Sequence, residues 1–208
     1  MTTGTETAAN YPLRFNVERP ASQSRLTNFP LGIGTFIRYI LLIPHIVVLF
    51  FVGLIAALLY FIATFAILFT GVYPRGMYNF VSGNLRWGAN VGAYINSLID
   101  KYPPFSTEAQ DYPVTIDFDY PERSSKLLNF PILAIYVKVL LLIPHIIALV
   151  FLGIAVFLVV FIAKFAILFT GSFPEGMHRF VVGVTRWQLR TQAYQLGLTD
   201  KYPPFSMD

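Results

Sequence analysis

The sequence contains no cysteine. Disulfides, thiolate nucleophiles, iron–sulfur clusters and cysteine-type zinc sites are excluded together. Charge is also scarce: Asp, Glu, Lys and Arg make up 12% of the chain, about half of the ~25% usual in a soluble domain. No HExxH, GxxxxGK or GxSxG string occurs, so the motif-borne metalloprotease, phosphate-loop and hydrolase chemistries have no foothold. No RNA-binding or helix-turn-helix signature accompanies the net charge of +4, and nucleic acid is not an expected partner. Residues 1–10 are small and polar, with no basic stretch leading into an apolar one. They read as a short disordered tail, not a cleavable signal.

Apolar residues are abundant. They make up 55% of the chain, with 20 Phe and 12 Tyr, and the mean hydropathy is +0.60. Such a balance points to lipid as solvent, with aromatics at the membrane–water boundary. The positive excess then suggests anionic headgroups as partners.

The chain is an internal duplication. Tyr-Pro opens one copy at Tyr11 and the other at Tyr112, and Asn-Phe-Pro follows at Asn28 and Asn129. From Ile37 onward the copies align at an offset of 100. Leu-Leu-Ile-Pro-His-Ile recurs at 41–46 and 141–146, and Phe-Ala-Ile-Leu-Phe-Thr-Gly at 65–71 and 165–171. Pro-x-Gly-Met, Arg-Trp (Arg86, Arg186) and Asp-Lys-Tyr-Pro-Pro-Phe-Ser (100–106, 200–206) complete each copy. Shared hydrophobicity cannot produce coincident Pro, His, Trp and Asp. The expected organisation is a tail (1–10), repeat one (11–106), a linker (107–111) and repeat two (112–208).

Each unit is expected to be mainly α and membrane-bound: a short strand, an apolar helical hairpin and an amphipathic in-plane helix. Leu13, Phe15 and Val17 alternate with Arg14, Asn16 and Glu18, and 114–120 alternate likewise, which reads as half-buried strand. A lone strand is unstable, so the two copies are expected to pair with each other or with another subunit. The apolar run from Phe130 to Thr170 would make a helix of about 60 Å, twice a hydrocarbon core. Either it turns near Gly53 and Gly153 as a hairpin, including a re-entrant wedge that never emerges, or an interfacial helix leads to Pro44 and Pro144 and a single long span follows. The hairpin is favoured because near-identical basic flanks (Arg25, Arg38, Arg75 and Arg86; Lys126, Lys138, Arg179, Arg186 and Arg190) want the same side, and the positive-inside rule makes that side cytoplasmic.

The segments after the cores carry polar stripes. Arg179, Arg186 and Arg190 share one helix face, and Arg86 matches Arg186 in the first copy; all four are candidate lipid-headgroup ligands. His45 and His145 are equivalent and follow prolines, which raises a paired pigment or haem ligand against a hydrogen-bonding histidine near the membrane surface. The latter is expected, with no cofactor and no metal. Lys164 stands where repeat one has Thr64 and is expected to snorkel to the interface. Asp100 and Asp200 read as helix ends, and no catalytic residue is expected.

The Leu-Leu-Ile-Pro-His, Ile-Leu-Phe-Thr-Gly, Arg-Trp and Asp-Lys-Tyr-Pro-Pro-Phe strings resemble those of an uncharacterised bacterial membrane family, common in actinobacteria. Its members carry a domain of unknown function, often duplicated. The resemblance runs from Tyr11 to Ser206 and implies the bacterial cytoplasmic membrane as location; it brings no activity and no site residues. The expected function is a non-catalytic scaffold, accessory subunit or membrane-shaping component that contacts lipids and other membrane subunits or itself. The alternative is a small transporter or lipid-binding protein with its site between the repeats.

Overall fold

A computed structural model describes residues 10–208. The tail expected at 1–10 therefore lies, apart from Asn10, outside the described residues. The element order is β1 (Leu13–Val17), α1 (Ile33–Thr70), α2 (Arg75–Ile95), β2 (Val114–Phe118), α3 (Leu133–Thr170) and α4 (Glu175–Gln195).

The period-two pattern is realised as strand. β1 alternates buried and exposed residues throughout and pairs antiparallel with β2, Leu13 opposite Phe118 and Val17 opposite Val114. The two repeats thus pair with each other. Leu13, Phe15, Val114 and Ile116 point inward, while Arg14, Asn16, Glu18, Thr115, Asp117 and Asp119 are exposed.

The expected hairpin is corrected. α1 and α3 are each one continuous helix of 38 residues, with Gly53 and Gly153 in mid-helix and Pro44 and Pro144 inside the helix, about three turns in. Glycine costs only about 1 kcal/mol in a helix interior, too little to force a turn in a long apolar stretch. Both helices end instead at glycines in the left-handed conformation, Gly71 (φ 73°) and Gly171 (φ 78°), whose N–H groups close onto Ile67 and Ile167. Pro74 and Pro174 then precede α2 and α4.

All elements share one long axis. At one end Arg38, near the start of α1, reaches the carbonyls of Tyr94 in the last turn of α2 and of Ile99 beyond it. The loop residue Gln23 there bonds Ser97, Gly171 and Phe173, bringing in the end of α3 and the start of α4. At the other end Ser124 N–H bonds the Gly71 carbonyl and the Lys138 ammonium meets Tyr60. α1 and α3 are therefore antiparallel. The strand segment runs alongside α4: the Tyr11 hydroxyl bonds the carbonyls of Arg190 in its last turns and of Lys201 past its end, and Arg19 bonds Phe173 before its start.

Three layers result. The two strands cover α2 and α4, which in turn carry α1 and α3 on their far side. α1 buries only a narrow stripe, Gly34 to His45 near one end and Ala56 to Ile67 near the other, with no buried residue between 46 and 55. The rest of its circumference is exposed and apolar from Phe36 to Phe69, and α3 behaves alike. Both are long and apolar enough to cross a membrane.

Candidate functional site

The recurring strings of each repeat converge on one place. Trp87 donates its indole N–H to His45 Nδ1 at 2.9 Å, and His45 stacks on Phe105 with ring centroids 3.7 Å apart. Tyr102 donates to the Leu41 carbonyl at 2.8 Å, one residue beyond the carbonyl that Pro44 leaves without its helical partner. Repeat two repeats this cluster: Trp187 to His145 at 2.8 Å, His145 on Phe205 at 3.8 Å, Tyr202 to Leu141 at 2.8 Å. Pro-His, Arg-Trp and Tyr-Pro-Pro-Phe are thus three parts of one clamp that fastens a long helix to its amphipathic neighbour.

The clamp bears on the ligand reading of His45 and His145. An imidazole accepting at Nδ1 carries its proton on Nε2 and has no lone pair left for a metal. Each ring is also enclosed by Trp, Tyr and Phe of its own repeat, so the structure does not bring the two histidines together.

A second node lies beside each clamp. The buried Arg38 guanidinium donates to Thr27, Tyr94 and Ile99 carbonyls at 2.6–3.0 Å, to Asn28 Oδ1 at 2.8 Å and to Asp100. Asn28 Nδ2 returns a bond to Asp100 at 2.9 Å. In repeat two Lys138 takes the arginine's place, bonding Asn129 Oδ1 at 2.7 Å, while Asn129 bonds Asp200 at 2.8 Å. Arg38 and Lys138, which the sequence suggested as basic flanks, are fully buried. The recurrent Asn-Phe-Pro and Asp-Lys strings were the available signal for this node.

A family model described as Domain of unknown function (DUF4389) matches residues 33–107 and, a second time, 133–207. The chain belongs to this family. No curated protein and no solved structure matches it. Each DUF4389 copy holds a long apolar helix, an amphipathic helix and the Tyr-Pro-Pro-Phe tail, hence a complete clamp; the strands lie outside both matches.

Of the four arginines expected at lipid headgroups, Arg190 is buried, Arg86 and Arg186 are half-buried against the strands, and Arg179 is exposed. Arg86 lies under β2, bonding the Thr107 carbonyl at 2.9 Å, and Arg186 lies under β1, bonding Phe15 at 2.9 Å and Met207 at 2.7 Å. Arg190 is 3% exposed, over the Tyr11 ring. Arg179 alone is exposed, 3.9 Å from Glu175. The polar stripe of α4 turns toward the strands, because that helix occupies the middle layer. Burial pushes the Tyr11 and Tyr112 hydroxyls well above their ordinary value, so both stay protonated and donate to backbone carbonyls. Lys164 does not snorkel: it is 3% exposed and donates to Thr35 Oγ1 of the other repeat.

Between α1 and α3 runs a groove. Its apolar part, a cavity of about 570 Å³, is lined by Phe36, Tyr39, Phe157, Val160, Phe161 and Lys164. Asn96 joins it to a cavity of about 360 Å³ where α2 and α4 meet at Gly88 and Gln188.

Proposed function

We propose that the chain is a non-catalytic membrane protein that lies within one leaflet of a bilayer, a platform that shapes the membrane and presents its strands to the cytoplasm. The carrying observation is the common long axis of the charged strands and the apolar helices. From Phe36 to Phe69 the exposed apolar surface of α1 extends about 50 Å, against a hydrocarbon core of about 30 Å. Were that axis to run along the membrane normal, the exposed Arg14, Glu18, Asp117 and Asp119 would sit at hydrocarbon depth, at about 2.5–3.5 kcal/mol per charge near the midplane. Laid in the plane, the same molecule puts every exposed apolar face of α1 and α3 in lipid and every strand charge in water. Two helices inserted on one side only would spread that leaflet, which supports a membrane-shaping role. The bacterial cytoplasmic membrane is the proposed host, with self-association or other membrane subunits as partners.

Single cysteines at Ser106, Val72, Thr115 and Ser206 test the arrangement with a membrane-impermeant thiol reagent on sealed vesicles. All four are expected to label from the same side. Labelling of Val72 and Ser106 from opposite sides would replace the in-plane platform by a spanning helix. The groove between the repeats favours a second reading, a lipid-binding protein, which is compatible with the first.

A further inference from the structure

Among the described residues Lys164 is a buried cation without an acidic hydrogen-bond or ion-pair partner. Its ammonium donates to Thr35 Oγ1, and the ion pairs among the described residues, Arg14–Asp119, Arg38–Asp100 and Arg179–Glu175, leave it out. A buried ammonium held by one neutral hydroxyl is costly unless an anion completes its shell. The space it lines is a trough walled by aromatic and aliphatic side chains, Phe36, Tyr39, Phe157 and Phe161 among them. At the inner edge stands Asn96, leading to the polar floor at Gln188 and Gln192. Ligand cavities of this size are typically apolar with a few placed polar groups.

We propose that this groove binds one anionic amphiphile, its acyl chain along Phe36, Phe157 and Phe161 and its headgroup on Lys164 and Asn96. Charge complementarity selects an anion, and the apolar walls select a chain over a free ion. The inference rests on reading α1 and α3 as lipid-exposed, so that the trough fills from the bilayer. The duplication supplies an internal control. At the positions equivalent to Lys164 and Thr35 the other repeat pair has Thr64 and Ile135, and the Thr64 hydroxyl is turned back onto the Phe61 carbonyl at 2.6 Å. The site therefore exists once per chain.

Native mass spectrometry of the delipidated full chain in a non-ionic detergent tests this, with phosphatidylglycerol, phosphatidylcholine of the same acyl chains, and oleate as probes. The wild type is expected to retain one phosphatidylglycerol or one oleate per chain, and phosphatidylcholine severalfold more weakly, because its choline cation cancels the net negative charge that the Lys164 ammonium selects. Oleate bound as well as phosphatidylglycerol identifies any chain-bearing anion as the ligand; phosphatidylglycerol alone identifies the phosphodiester. K164T, which installs the residue of repeat one, should lose about tenfold in retention. Gly153→Leu should lose binding with the lysine intact, because a Cβ at Gly153 meets open space in the trough, whereas R123N, at an exposed cation outside the groove, should bind as wild type. Equal retention by K164T and wild type, or equal retention of phosphatidylcholine and phosphatidylglycerol, overturns the proposal. Binding in micelles does not depend on the orientation of α1 in a bilayer, so failure here and failure of the in-plane platform are separate results.

Discussion

Trp87 and His45 are joined by a buried hydrogen bond, indole N–H to Nδ1 at 2.9 Å, with their rings nearly perpendicular at 83°. Replacing Trp87 by Phe keeps an aromatic side chain and removes the donor, leaving the His45 acceptor unsatisfied. The expected loss is about 1–3 kcal/mol of stability. Trp187→Phe should cost the same at the equivalent clamp, and the double variant their sum. Denaturant unfolding in detergent micelles measures both; an unchanged midpoint in either single variant would remove the clamp from the stability of the fold.

Gly83 and Gly88 stand on the same helix and predict opposite outcomes. A Cβ at Gly83 would lie 2.6 Å from the Thr107 carbonyl oxygen, whereas one at Gly88 meets nothing within 4 Å. Gly88→Ala should be neutral or stabilising by up to about 1 kcal/mol through helix propensity. Gly83→Ala should destabilise by more than about 1 kcal/mol, because backbone must move. Gly183→Ala should follow Gly83→Ala, since Met207 crowds it in the same way. A Gly83→Ala midpoint equal to that of Gly88→Ala would contradict the close packing of the tail on α2.

Much of this was legible in the residues. The repeat, the strands from their alternation and the helices after Pro74 and Pro174 all follow from local pattern. Gly53 shows where local pattern stops: a glycine amid apolar residues reads as a turn, yet the helix continues because nothing polar there competes for the backbone. The arginines of α4 show a second limit. Arg179, Arg186 and Arg190 define a polar face, but only the strand pairing determines that Arg186 meets Phe15 of the other repeat. Lys164 was visible as an odd charge; its partner Thr35, from the distant start of α1, was not.

His178 gives a pH dependence with a definite sign. Burial first, and then Arg19, hold its imidazole below the ordinary value, opposed by the Leu98 carbonyl. The unfolded chain therefore binds this proton more readily than the folded one. The stability contribution is complete above about pH 6.5 and is lost as pH falls from there through the lower folded value. Wild type should thus lose stability relative to His178→Gln between about pH 7 and pH 5. A stability difference between the two that stays constant over that range would show that His178 does not titrate with folding.

In-plane insertion is tested most directly by the depth of three exposed positions on α1. Spin labels at Phe36, Leu54 and Phe69 in reconstituted bilayers report depth through the relative accessibility to oxygen and to a water-soluble nickel chelate. Phe36 and Phe69 are expected close to the same interface, with Leu54 no deeper than about 15 Å, half the hydrocarbon thickness. Phe36 and Phe69 at opposite interfaces, with Leu54 at the midplane, would contradict it.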